Sequence, residues 1–261
     1  MTAVGPTRRI LFGALAAPLL ALRPAAADDG ERLGRLAAAY PDHIARREGA
    51  DLVWRDGTRM ATGAGAPERP FEVMLRDATL ADQMRQAYPA GPPAGPPPRN
   101  HSPGRLRNTA FFVKMYGDCR HGGAQGRHRT VTWMPKTRPQ ALPVTTVNDV
   151  ATRLERVVAD LEGLPDRLKA YLVPSAGTFN CRTVADTGLL SMHAHAAAID
   201  LAVAHSDYWS WARARGDIPY RNRIPYAIAE VFEAHRFIWG GKWYHYDTMH
   251  FEYRPELIGG S

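Results

Sequence analysis

Apolar residues recur at helical spacing over 150–162. Val150, Leu154, Val157, Val158 and Leu161 share one face, Asn148 stands where a cap is expected, and Gly163 followed by Pro165 marks the end. This pattern predicts a packing helix. A second helix is expected from Pro225, a residue suited to the first turn, with Ile228, Val231 and Phe232 turned inward. Val131-Thr132-Trp133, which follows the apolar piece Phe111 to Met115, reads as strand. So do Phe237-Ile238-Trp239 and, with alternating faces, His250-Phe251-Glu252-Tyr253, and Gly240-Gly241 reads as a turn. Residues 28–87 mix short amphipathic pieces with turns at Asp56-Gly57 and Gly63-Ala64-Gly65. From Pro89 to Pro103 the chain runs P-A-G-P-P-A-G-P-P-P-R-N-H-S-P, which cannot be helix and lacks the donors of a central strand, so it reads as a linker or long surface loop. Short strands and helices without regular alternation or internal repeat predict an α+β fold, a small, mainly antiparallel sheet with flanking helices.

The first residues stand apart from this pattern. Arg8 and Arg9 precede an apolar run from Ile10 to Leu22, and Ala25-Ala26-Ala27 supplies small residues of the kind a signal peptidase accepts. Residues 1–27 therefore read as an export signal, too short for a comfortable membrane span, and the paired arginines suggest the twin-arginine route. No later stretch is long and apolar enough to span a bilayer. The expected organisation is signal 1–27, N-terminal region and Pro-rich linker 28–104, and a C-terminal domain 105–261.

Charge then changes its meaning. The chain carries 33 basic and 26 acidic residues, formally +7, and removing Arg8, Arg9 and Arg23 with the signal takes +7 to +4. The basic residues are scattered and only four are Lys, so no phosphate-binding stripe is present and nucleic acid is not an expected partner. At 261 residues with 45% hydrophobic and 23% charged residues, the chain has ordinary globular composition. Its two cysteines, Cys119 and Cys181, cannot make a structural zinc site by themselves. In an oxidising compartment they make a disulfide plausible, against the alternative of two free buried thiols.

Six of ten histidines and four of six tryptophans fall after residue 190, which makes a metal site worth testing. In S-M-H-A-H-A-A-A-I-D, His193 and Asp200 are good zinc ligands at an awkward spacing of seven. On a helix they lie about 10 Å apart along the axis, too far to share an ion, and on an unbroken strand they point to opposite faces. If both bind one ion, the chain bends near Ala194 to Ala197. His193 and His195 form the competing pair, an H-x-H of the sort found in cupins; the amidohydrolase barrels that also use it need more chain than is available here. In W-G-G-K-W-Y-H-Y-D-T-M-H-F-E-Y, Asp247 precedes His250 by three residues. It is either a general base acting on the water that a metal activates, or a turn residue capping Thr248 and Met249.

Together the two segments resemble the LAS-type zinc peptidases, which include bacterial D-alanyl-D-alanine carboxypeptidases, vancomycin-resistance D,D-dipeptidases and phage L-alanyl-D-glutamate endolysins. That family carries S-x-H-x-x-G-x-A-x-D and, some fifty residues on, a carboxylate, two spacers and H-F. This chain has Ser191, His193, Ala198 and Asp200 in place, then Asp247, His250 and Phe251 in D-T-M-H-F-E, and a similar G-G-x-W run before the second motif. The likeness is close from about Thr178 to Leu257 and looser back to Pro103.

The resemblance implies one zinc ion held by His193, Asp200 and His250, with Asp247 as catalytic base. Arg182, in F-N-C-R, matches the family's arginine that faces the substrate and steadies the oxyanion. Ser191 and Trp243 are the implied substrate-binding residues. The family glycine between His and Asp is Ala196 here, costing little at negative φ and more in the left-handed region. His195 and His245 have no ligand role in the pattern and read as supporting or surface residues. The implied activity is hydrolysis of peptidoglycan stem peptides outside the cytoplasm, in the periplasm or beyond, by a carboxypeptidase or a D,D- or L,D-endopeptidase. The rival readings are a wall-binding module with a degenerate metal site and a cupin-type metalloprotein in which His195 ligates.

Overall fold

In the computed structural model, residues 1–2, 28–212 and 216–259 are described, and the expected export signal lies outside them save for its first two residues. The N-terminal part comprises α1 (Asp29–Ala39), a three-stranded antiparallel sheet β1 (Ile44–Glu48), β2 (Asp51–Trp54) and β3 (Arg59–Ala61), and the short helices α2 (Phe71–Arg76) and α3 (Leu80–Gln83). Local chemistry sets the helix starts. The Asp28 carboxylate accepts from the Glu31 amide at 2.7 Å, and Thr79 and Asp82 exchange bonds in a capping box.

The rest of the chain adds α4 (Thr109–Tyr116), the hairpin β4 (His128–Trp133) and β5 (Gln140–Thr145), α5 (Val150–Glu162), α6 (Asp166–Lys169), β6 (Ala198–Asp200), α7 (Tyr226–Ala234), β7 (Phe237–Trp239) and β8 (His250–Tyr253). The third sheet has the order β6-β8-β7 and is antiparallel throughout. The fold is α+β with small antiparallel sheets, as the residue pattern predicts. The apolar core runs continuously from Leu33 and Leu36 of α1 through Phe111, Trp133, Leu154 and Phe232 to Phe251 and Leu257. Each such side chain, fully removed from water, contributes about 1.5–3 kcal/mol before entropy is counted.

Helix α5 buries the five apolar residues named from its periodicity and ends before Gly163. Its start differs from expectation. Asn148 lies at φ 55° and does not cap; its amide instead donates to the Tyr116 hydroxyl at 3.1 Å, while Asp149 occupies the cap position in the left-handed region without a side-chain bond. A competing buried polar partner has drawn the side chain away from the helix end. Helix α7 follows Pro225 and buries Ile228, Ala229 and Phe232, leaving Val231 only partly covered. Strand β8 is buried at all four positions rather than on one face: Phe251 and Tyr253 join the apolar core, and His250 and Glu252 on the other face meet buried polar partners, among them Arg107.

The Pro-rich segment 89–103 forms neither helix nor strand. Both ends are tied down: Lys242 Nζ donates to the Pro89 carbonyl at 2.8 Å and Trp243 Nε1 to the Pro103 carbonyl at 2.6 Å. A disulfide joins Cys119, just after α4, to Cys181, with Cα atoms 5.9 Å apart. Among the described residues no helix is long and apolar enough to cross a membrane.

Candidate metal centre and active site

Strand pairing brings the distant motifs together. Asp200 ends β6 directly opposite His250, which begins β8. His193 sits in a single 3-10 turn, Met192–His195, started by the Ser191 hydroxyl, which accepts from the His193 amide at 3.3 Å. Ala196 then takes φ 51° and ψ 30°, and β6 begins two residues later. This left-handed residue supplies the bend that a seven-residue spacing requires, and it is the conformation in which alanine is costlier than the family's glycine.

His193 Nε2 lies 3.1 Å from Asp200 Oδ1 and 3.1 Å from His250 Nδ1, and His250 Nδ1 lies 2.9 Å from the same carboxylate oxygen. Tetrahedral zinc with ligand bonds near 2.0–2.1 Å holds its ligand atoms about 3.3 Å apart, so a few tenths of an ångström separate this arrangement from a zinc site. The remaining ring nitrogens are engaged: His193 Nδ1 donates to the Thr178 carbonyl at 2.8 Å and His250 Nε2 to Glu252 Oε2 at 3.0 Å. These partners turn the free nitrogens inward, as metal-ligating histidines require. The donor set of two imidazoles and a carboxylate fits zinc. The Asp200 carboxyl is held well below its usual range: burial acts to raise it, and the adjoining His193 and His250 rings outweigh that.

The triad opens onto a cleft of about 270 Å³ whose walls include Arg105, Arg107, Arg182, Ser191, Trp243 and Asp247. Asp247 is positioned by its backbone, whose amide donates to the Gly240 carbonyl at 3.0 Å. Gly240 is required at this place, since a Cβ there would meet the Asp247 carbonyl at 2.5 Å. The turn-capping role open in the sequence is not what the carboxylate does. Among the described residues it accepts no hydrogen bond, and its buried Oδ1 is without any partner. Burial, and then the charge of Asp200, push its carboxyl up to about 6. A half-buried, unpartnered carboxylate of raised basicity beside three candidate ligands is an arrangement able to accept a proton.

Arg182 is exposed at the cleft rim, donating weakly to the Thr183 carbonyl, and follows the disulfide-bound Cys181. Trp243 packs its ring 5.6 Å from that of His250 and is almost wholly buried, so it shapes the wall more than it offers surface. His195 points away from the triad. Its Nδ1 donates to the Gly117 carbonyl at 3.2 Å, with the ring set against Phe112 and Tyr116. His245 stacks on Phe71. His195 is buried and His245 only partly so, and the H-x-H pair does not converge.

Arg105, Arg107, Tyr208, Trp211 and Glu252 were not singled out from the sequence. Glu252 had a readable signal, since i and i+2 on one strand place it on the His250 face. Arg105 and Arg107 precede the motifs by more than eighty residues and carry no local signal.

Residues 185–253 match a family model described as D-alanyl-D-alanine carboxypeptidase. The match bears out the resemblance to the zinc peptidases. The matched segment contains His193, Asp200, Asp247 and His250, with the G-G-x-W run before Asp247. No curated protein and no solved structure matches the chain significantly.

Proposed function

We propose that this chain is an exported zinc peptidase of peptidoglycan stem peptides, cleaving the D-Ala-D-Ala bond or another linkage beside a D-residue, with residues 105–261 as its peptidase unit. The observation that carries the reading is the unpartnered Asp247 carboxylate lining the same cleft as Asp200 and His250, the two members of the triad that face it. Export is supported by the Arg8-Arg9 and Ile10–Leu22 pattern and by the disulfide, which suits an oxidising compartment such as the periplasm or the exterior.

His193 through Nε2, Asp200 through Oδ1 and His250 through Nδ1 would hold the ion. Zinc bound there supplies Lewis acidity that polarises the scissile carbonyl and makes water acidic enough to attack near neutral pH. Asp247 takes the proton that the attacking water loses and returns it to the amine nitrogen as the C–N bond breaks, so the carboxylate ends as it began. Arg182 at the rim offsets negative charge on the carbonyl oxygen. Ser191 serves the site through the turn it starts, which points His193 inward, and Trp243 forms the wall beside His250.

Mass spectrometry of muropeptides incubated with the purified chain, with and without a chelator, tests the proposal. Chelator-sensitive loss of a terminal D-Ala or opening of a cross-link is expected. Unchanged muropeptides from a zinc-loaded, folded protein would leave the wall-binding reading in its place.

A further inference from the structure

Glu252 lies beneath the triad, wholly buried, with three charged partners. Its Oε2 accepts from His250 Nε2 at 3.0 Å and from an Arg107 guanidinium nitrogen at 3.1 Å, and its Oε1 accepts from Arg254 at 2.8 Å. The chain of contacts continues outward. Arg254, also wholly buried, donates to Glu256 at 2.6 Å and to the Gly104 carbonyl at 2.9 Å, and Glu256 accepts from the Tyr40 hydroxyl, just past α1, at 2.7 Å. Gly104 permits the approach: at φ +102° a Cβ there would lie 2.4 Å from Ile238 and 3.2 Å from Glu252.

Taking a carboxylate and two guanidinium groups out of water is expensive, and a well-packed apolar cluster of similar volume stabilises a fold as well or better. What an apolar residue cannot do at position 252 is accept the Nε2–H of His250. That bond fixes the ring, which otherwise rotates about its two side-chain torsions, with Nδ1 rather than Nε2 toward Asp200 and His193. The arginines in turn hold the carboxylate: it is anchored on both oxygens and has no rotational freedom to lose when the metal arrives.

Resting on the reading of the triad as a zinc site, we propose that Glu252 is a positioning residue for the metal, setting the ring orientation of His250 through a carboxylate that Arg107 and Arg254 hold in place. The test compares zinc affinity, by competition with a chromophoric chelator, in the full chain and in Glu252→Gln and Tyr40→Phe, with near-UV circular dichroism as the check on folding. Glu252→Gln is expected to bind zinc about 10–100-fold more weakly and to alter the visible spectrum of the cobalt-substituted site. Tyr40→Phe removes a remote hydroxyl and leaves the His250–Glu252 bond, so zinc affinity within about twofold of the parent is expected. Equal affinity in Glu252→Gln, or an equal loss in both variants, would overturn the proposal and leave an ordinary structural ion cluster. Should Glu252→Gln not fold, histidine ¹⁵N spectra of the zinc-loaded parent decide. Metal on Nδ1 of His250 with a slowly exchanging Nε2–H supports the assignment, and metal on Nε2 ends it. A parent chain that takes up no zinc fails the underlying reading first, before any variant is compared.

Discussion

Asp200 and His250 are direct cross-strand partners in the β6–β8 pairing, with His250 Nδ1 2.9 Å from Asp200 Oδ1, although fifty residues separate them in the chain. Register therefore sets the geometry of the candidate ligands, and His193 reaches the same point through a turn. Removing a ligand should empty the site without dismantling the sheet, because the backbone pairing survives. Asp200→Asn and His250→Ala are each expected to lose at least about 100-fold in zinc affinity while keeping the far-UV circular dichroism of the parent. Full zinc content in either variant after dialysis would show that the ion is held elsewhere.

Asp247 contributes no atom to the triad. Asp247→Asn should retain about one zinc per chain and lose roughly 10²–10⁴ in turnover of muropeptides, since an amide cannot accept the proton. Metal analysis and product mass spectrometry on the same preparation separate the two effects, and undiminished turnover would reassign the base.

The fold was legible where periodicity and turn chemistry agree. The buried face of α5, the strands at 237–239 and 250–253, and the need for a bend between His193 and Asp200 follow from spacing alone. What spacing could not show is long-range choice of partner. Asn148 satisfies the Tyr116 hydroxyl instead of a helix end, Arg107 comes from a segment far upstream of the motifs, and β8 is buried on both faces, which its own alternation does not reveal. At the candidate site, residue types and intervals point to the His193, Asp200 and His250 group that the fold brings together, but that Asp247 is left without a partner and that His195 turns away become visible only from where their neighbours lie.

Ala196 at φ 51° occupies a conformation that costs a β-carbon-bearing residue about 1–2 kcal/mol relative to the right-handed region. Ala196→Gly removes that strain, while glycine's greater freedom in the unfolded chain gives back about 0.4–1 kcal/mol. A net gain of about 0.5–1 kcal/mol in unfolding free energy is expected, with zinc affinity unchanged. Urea titration of parent and variant checks it, and a loss of stability would mean that packing of the Ala196 methyl outweighs the strain.

The Cys119–Cys181 disulfide closes a loop across a sequence separation of 62 and ends beside Arg182. Replacing both cysteines by serine should lower unfolding free energy by about 4 kcal/mol through the freed unfolded chain. Because the triad lies outside the bond, zinc content should stay near one per chain while turnover falls as Arg182 loses its anchor. Stoichiometric loss of zinc in the serine variant would instead place the disulfide in support of the ligands.

His195 is 2% exposed, and burial pushes its imidazole down to about 4, with the nearby Arg107 charge acting in the same direction and the Gly117 carbonyl, Asp118 and Glu252 opposing it more weakly. In the unfolded chain the same group titrates near 6.5, so between pH 6.5 and 4 the unfolded state binds the extra proton and acidification favours unfolding. Stability owed to this residue is complete above about 6.5 and gone below about 4, a difference of up to ~3 kcal/mol. Other groups titrate in the same window, so the decisive quantity is the difference between the parent and His195→Asn, which has no proton to gain. Urea unfolding in the presence of a chelator should show the parent losing about 2–3 kcal/mol more than the variant between pH 7 and 4. Parallel curves would mean that the His195 ring becomes charged inside the folded protein, which its apolar neighbours Phe112 and Tyr116 give it no means to offset.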